Sequence, residues 1–161
     1  MKTLLLVRHA KSSRDDPTIA DRDRPLNDRG LRDASKMGER LATRDVDPDL
    51  IISSSAVRAL ATAQMMAKKL DYKAKDIAAD DRIYASSPKA LLEVIHGLDE
   101  KLKCVMLVGH NPEMSELAHR LASEITDMAT CAVAEFRFDI KSWTKVGKTT
   151  PERASLDEPK N

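Results

Sequence analysis

Two histidines follow short apolar runs: His9 comes after Thr3–Val7 (TLLLV), and His110 after Cys104–Val108 (CVMLV). An imidazole is mostly neutral near pH 7, so one ring nitrogen can attack while the other is held as a donor. Arg8 stands beside His9, and Arg58 lies behind Ser53, Ser54 and Ser55, early in a helical pattern. Guanidinium groups match the geometry of phosphate oxygens, and helix amino ends favour anions. Gathered at one edge, Arg8, His9, Arg58 and His110 would seat a doubly charged phosphoryl group. Taken singly, each has a plainer use: a histidine after a strand as a cap or surface group, an arginine on a helix as a solvated charge. His96 and His119 are read that way and given no role. Spacing alone does not decide between the two readings.

What must position these residues is an alternation of strands and helices. Thr3–Val7 is short, apolar and continuous, as a strand buried on both faces would be. From Gly30, residues Leu31, Ala34, Gly38 and Leu41 mark one helix face. Leu50–Ile52 is a second strand. Leu60, Ala63, Ala67 and Leu70 repeat the helical spacing. Pro88 opens a third helix carrying Leu91, Leu92, Ile95 and Leu98. Cys104–Val108 is another strand. Pro112 stands at a first helical position with Asn111 as its cap, and Met114, Leu117 and Leu121 form the inner face. Ala132–Phe138 is read as the last strand, with Phe136 and Phe138 on one face. Such alternation predicts an α/β fold with a mainly parallel central sheet and helices on both sides, a three-layer sandwich. In parallel sheets ligands bind beyond the carboxyl ends of the strands, where His9 and His110 stand if their strands are neighbours. Ser13–Arg29 reads as a long polar loop, a length that is usually functional or mobile. Residues 1–146 read as a single domain, and the tail from Gly147 to Asn161, without periodicity, as a flexible end.

Bulk properties narrow the class of partner. The chain has 161 residues, 27 Lys plus Arg against 26 Asp plus Glu, and a formal charge of +1. That balance argues against nucleic acid as a partner but not against a small anion at one site. Cys104 and Cys131 form no CxxC pair and read as buried free thiols. The first apolar run ends at Arg8, too short for a signal peptide of about 7–15 apolar residues in its core. No segment reaches the roughly 20 apolar residues of a membrane span. The expectation is a cytoplasmic protein with no membrane partner. No carboxylates and histidines share metal-ligand spacing, so neither metal nor cofactor is expected.

Leu4–Ser13 (LLLVRHAKSS) resembles the Arg-His signature of the histidine phosphatase superfamily, which includes the phosphoglycerate mutases. Ser53–Ala63 (SSSAVRALATA) resembles its second motif and Val108–Met114 (VGHNPEM) its third. RHAKS, Arg24-Pro25-Leu26 with Gly30 after it, and GHNP together resemble the phosphohistidine phosphatase branch called SixA. The resemblance runs from Leu4 to about Trp143. It implies a phosphoglycerate mutase-like fold, here without a lid domain. Ala10 stands in place of the wider superfamily's glycine, Ser55 where proline is common, and Ala61 where Gln or Glu is common. Larger members carry a glutamate as proton donor in an inserted segment. The corresponding stretch here, Ile83–Pro88 (IYASSP), has no carboxylate.

The resemblance implies that His9 is the nucleophile, with Arg8, Arg58 and His110 balancing charge on the phosphoryl oxygens. Ser12 and Arg24 are further phosphate-binding candidates. No general acid is assigned. Asp23, Asp28 and Glu113 are the carboxylates nearest the motifs, and each also reads as a cap, an ion-pair partner or a solvated charge. An alkoxide leaves badly without a donor worth about 10²–10⁴ in rate, whereas the P–N bond of phosphohistidine is labile. The expected substrate is therefore a protein phosphohistidine. A small phosphate ester (a sugar phosphate or nucleotide) and a non-catalytic phospho-ligand binder stay open beside it.

Overall fold

The computed structural model describes residues 1–160. Six strands form one sheet: β1 (Lys2–Arg8), β2 (Leu50–Ser53), β3 (Ala78–Ala79), β4 (Cys104–Gly109), β5 (Val133–Phe138) and β6 (Arg153–Asp157), in the order β3-β2-β4-β1-β5-β6. The first four run parallel, and β5 and β6 pair antiparallel at one side. Successive strand residues face opposite ways, so the apolar runs feed two cores. Leu4 and Leu6 join Val105, Leu107, Phe136 and Trp143 in one core. Leu5 and Val7 join Met106, Val108 and Ile51 in the other.

Helices α1 (Asp28–Thr43) and α2 (Val57–Lys69) cover the second core, and α3 (Pro88–His96) and α4 (Glu113–Leu121) the first. The result is the expected three-layer α/β sandwich, with a mixed rather than wholly parallel sheet. The Asn27 side chain caps α1 by accepting from the Gly30 amide at 2.8 Å. Ser87 caps α3 by accepting from the Ala90 amide at 3.0 Å.

Several sequence expectations shift by a residue or more. The inner face of α1 is Gly30, Ala34, Met37, Gly38 and Leu41, while Leu31 is 43% exposed. Gly30, not Leu31, meets the protein, because its Cα lies against the Lys11 carbonyl. In α2 the buried set is Arg58, Ala59, Thr62, Ala63, Met66 and Ala67, while Leu60 and Leu70 are only half-buried. Pro112 precedes α4, which starts at Glu113, yet Asn111 Oδ1 still accepts from the Ser115 amide at 3.1 Å. Ser13–Arg29 is ordered by a Ser12–Leu26 bridge and a one-turn 3-10 helix at Asp21–Asp23, and α1 has begun by Asp28.

The largest correction concerns the tail. Residues 153–157 of the expected flexible end form β6, laid antiparallel on β5. Asp157 pairs with Arg40 at 2.9 Å and with Arg44 at 3.3 Å, and Arg44 also reaches Glu135 at 3.1 Å. Backbone pairing, ion pairs and two partly buried residues, Ala154 and Leu156, hold this strand, and two small apolar contacts are too short a pattern to mark it in the sequence. Asn161 lies outside the described residues. His96 Nε2 lies 2.8 Å from the Val146 carbonyl and His119 Nδ1 3.0 Å from that of Ile125, structural tethers both. Cys131 is buried and Cys104 half-buried. Both are free, and burial pushes both thiols up to about 12. Among the described residues no helix is long and apolar enough to cross a membrane.

Candidate active site

Strands β1 and β4 are direct neighbours, with Arg8 opposite Gly109. His9 and His110 therefore leave the sheet at the same edge, and their rings meet with centroids 5.0 Å apart at 60°. The backbone around His9 is fixed on both sides. Its amide donates to the Gly109 carbonyl at 3.0 Å, and its own carbonyl accepts from the Cys131 amide at 3.1 Å.

Only one tautomer of His9 suits its surroundings. Nδ1 lies 2.7 Å from the Ala10 carbonyl, which can only accept, so the ring proton is on Nδ1. Nε2 is left with its lone pair, 3.4 Å from Arg58 Nε. Burial pushes the His9 pKa down to about 3. The neighbouring His110, Arg58 and Arg8 add to this, and the Ala10 carbonyl opposes it. His110 is pushed down to about 4, again first by burial and then by Arg58. Both imidazoles are thus neutral near pH 7. His110 Nε2 sits 2.8 Å from Ser54 Oγ, while its Nδ1 is buried without a partner.

Arg58 is the second residue of α2, in its first turn, and is only 6% exposed. Its Nη1 donates to the Asp21 carbonyl at 2.7 Å and its Nη2 to Asp21 Oδ2 at 3.1 Å. Thr62, one turn on, accepts from the Ala10 amide at 3.0 Å and donates to the Arg58 carbonyl at 2.8 Å. This ties α2 to the strand end that carries His9. Arg8 Nη1 donates to the Met128 carbonyl at 3.0 Å, and its Nε is buried without a partner. Burial lowers the Arg8 pKa, and Asp127 opposes the shift.

The four expected residues line one cavity of about 420 Å³ with Ser12 and Arg24. Arg24 Nη1 donates to Ser12 Oγ at 2.6 Å and its Nε to Asp21 Oδ1 at 3.1 Å. Lys11, Arg14, Asp21, Asn27, Asn111 and Thr130 complete the lining, so cations dominate it and Asp21 is its one carboxylate. Of the three carboxylates singled out in the sequence, Asp23 and Asp28 are exposed and line neither this cavity nor its neighbour. Glu113 is buried and lines the neighbouring one.

Sequence reasoning passed over Asp21 and Tyr84. Asp21 is the hub of the site: it accepts from Arg24, from Arg58 and from the Tyr84 hydroxyl at 2.7 Å. Those three partners, Tyr84 first, hold its carboxyl well below the usual range, so it stays ionised and is a poor proton donor. Tyr84 also packs edge-on against His110, with centroids 5.6 Å apart. The only sequence signal for Asp21 was its place three residues before Arg24 in the polar loop. Among the described residues no group of three or more His, Cys, Asp or Glu could hold a metal ion. A neutral nucleophilic nitrogen flanked by fixed cations is equipped to accept a phosphoryl group.

Comparison with known proteins agrees with this chemistry. The family model of the histidine phosphatase superfamily (branch 1) matches residues 4–85. An uncharacterized chloroplastic protein of Arabidopsis thaliana is 31% identical over 152 residues, which cover 88% of this chain and 69% of that protein. A structure from Agrobacterium tumefaciens, described as a phosphohistidine phosphatase SixA, superposes with a TM-score of 0.77 at 30% identity over 84% of this chain and 90% of that one. The fold is shared also by a protein histidine phosphatase SixA complexed with tungstate, with a TM-score of 0.83 at 20% identity over 99% and 98%. The chain belongs to the histidine phosphatase superfamily, branch 1, in its SixA-type group.

Proposed function

We propose that this chain is a phosphatase that carries the phosphoryl group on His9 and whose substrate is phosphohistidine on a protein. The observation that carries it is the state of His9: proton on Nδ1, lone pair on Nε2, Arg58 alongside. In the first step the Nε2 pair attacks phosphorus and the bond to the leaving group breaks, its electron pair going with that group. Arg8, Arg58 and the His110 ring surround the equatorial oxygens. Water then attacks phosphorus, the P–Nε2 bond breaks, and its pair returns to His9. The phosphate leaves with the water's oxygen and both of its protons, as dihydrogen phosphate. The positive charge that stabilises the transfer is built from arginine side chains, so activity is expected to survive exhaustive EDTA dialysis.

The substrate class follows from the missing acid. Asp21 is held ionised, segment 83–88 has no carboxylate of its own, and Glu113, which reaches that segment from α4, is engaged there as the acceptor of the Ser86 amide. A leaving group that departs without strong acid catalysis suits such a site, and the imidazole of phosphohistidine is one. The cavity is also open, without a covering lid, as a side chain on a protein surface requires.

The test is rapid-quench labelling with radioactive phosphoryl donor, paired with turnover of p-nitrophenyl phosphate and circular dichroism. Wild type should carry an acid-labile, base-stable label, and folded His9→Ala should carry none and turn over less than about one thousandth as fast. A labelled or active His9→Ala would remove His9 as nucleophile. Phosphohistidine left intact by an enzyme that cleaves p-nitrophenyl phosphate would remove the substrate assignment.

A further inference from the structure

Beside the phosphoryl cavity lies a second one of about 400 Å³. The two share Asp21, Arg58, His110 and Asn111, but His9 lines only the first. In-line displacement places the leaving group on the side of phosphorus away from the attacking nitrogen. The second cavity is therefore where a leaving group would go. Its chemistry is unlike that of the first, since Arg58 is its only cation, set against Asp21 and Glu113.

Glu113 belongs to the first turn of α4, but its carboxylate is turned onto segment 83–88. Its Oε2 accepts from the Ser86 amide at 3.0 Å, and Oε1 makes no hydrogen bond among the described residues. Ser86 Oγ is buried there without a partner. Tyr84, stacked edge-on against His110, supplies an aromatic wall. Ala85 between them holds a φ of 50°, left-handed backbone that costs a residue with a Cβ about 1 kcal/mol. That turn places Tyr84 and Ser86 at the same cavity. A carboxylate absent from segment 83–88 in the sequence is thus delivered to it from another element.

The geometry points to this second cavity as an imidazole-binding subsite, in which Glu113 accepts a hydrogen bond from the far ring N–H of the substrate's phosphohistidine. The assignment rests on the reading of the function given above. Its chemical reason lies in the leaving group. When the far nitrogen keeps its proton, breaking the P–N bond sends the electron pair to a neutral imidazole. When that proton is lost, the same step must expel imidazolate, a far poorer leaving group. A carboxylate on the far N–H keeps the proton in place without giving one up. Together with Asp21, it also disfavours leaving groups that carry their own negative charge, such as phosphoglycerate.

Two measurements test this. The first is kcat/KM for a phosphohistidine peptide divided by kcat/KM for p-nitrophenyl phosphate, whose leaving group has no N–H to offer. Glu113→Gln is close in shape, and its amide oxygen can still accept from Ser86. It should lower the ratio at least tenfold, and a ratio within twofold of wild type overturns the subsite. The second needs no variant. In wild type, 4-methylimidazole, which keeps a ring N–H, should tighten vanadate inhibition several-fold, and 1-methylimidazole, which has none, should not. Equal effects, or none, overturn the proposal. If the wild type cleaves p-nitrophenyl phosphate but no phosphohistidine, the substrate reading fails and the subsite with it. If phosphohistidine is cleaved and the ratio does not move, the subsite alone fails.

Discussion

Arg58 serves two partners at once: its Nε faces His9 Nε2, while Nη1 and Nη2 are held by Asp21. The guanidinium is thereby locked in one plane, with its position set from the loop rather than by its own helix. A lysine would keep the charge and lose this fork. Arg58→Lys is expected to cut kcat/KM on p-nitrophenyl phosphate by roughly 10²-fold and Arg58→Ala by roughly 10³-fold, the range for losing a preorganised donor to a phosphoryl group. Vanadate inhibition should weaken in the same order. Full activity with lysine would show that charge alone, without the two-pronged geometry, is what the site requires. The same residue explains why Asp21 escaped sequence reading. An aspartate in a polar loop reads as solvated, and its partners Arg58 and Tyr84 lie 37 and 63 residues away along the chain.

Elements set the walls of the pocket, and α1 does so through close contact. A Cβ built on Gly30 would lie 2.1 Å from the Lys11 carbonyl oxygen, which also accepts from the Asn27 amide at 3.0 Å. Backbone stands on both sides, so no side chain can swing away. Gly30→Ala should therefore push α1 from the Lys11–Ser12 wall. The expected cost is about 2 kcal/mol in urea unfolding, as for overpacked sites. A higher KM should accompany it, since Lys11 and Ser12 line the cavity. Unchanged stability and KM would mean that this contact does not hold the wall. The helices and four of the strands were legible because burial writes its period into the sequence: Leu4–Val7 is apolar on both faces, and Ala34 and Leu41 recur on one. Where something other than apolar burial holds an element, the sequence was mute. β6 rests mainly on ladder bonds and on Arg40 and Arg44, with only Ala154 and Leu156 partly buried on the core, and the faces of α1 and α2 are turned by small residues, Gly30 and Ala59, that carry little hydrophobic signal. The strand ends gave Arg8, His9 and His110, but the loop-borne Asp21 and the α4-to-loop contact of Glu113 needed the assembled fold.

On the scale of the whole molecule, a chain of nearly balanced charge concentrates cations at one sheet edge and buries two neutral imidazoles among them. The burial makes stability depend on pH in a stated direction. In the unfolded chain His9 and His110 take up protons near pH 6.5. In the folded chain they do so only near 3 and 4. Below pH 6.5 the unfolded state therefore binds more protons than the folded one, and stability is lost as pH falls toward the folded values. Between pH 7 and pH 5 the loss comes to about 2 kcal/mol for each imidazole. Two together are a sizeable part of a typical total of roughly 5–15 kcal/mol. Asp21 acts in the same sense but at lower pH: its folded value is depressed, so its contribution is lost only below the ordinary carboxylate range. Urea titrations at pH 7 and pH 5 check the argument. Wild type should lose stability steeply over this interval, and His9→Gln and His110→Gln should each remove about half of that loss. If both variants keep the full wild-type pH dependence, the imidazoles are not the groups held neutral by folding, and the state of His9 on which the phosphoryl chemistry depends would have to be assigned again.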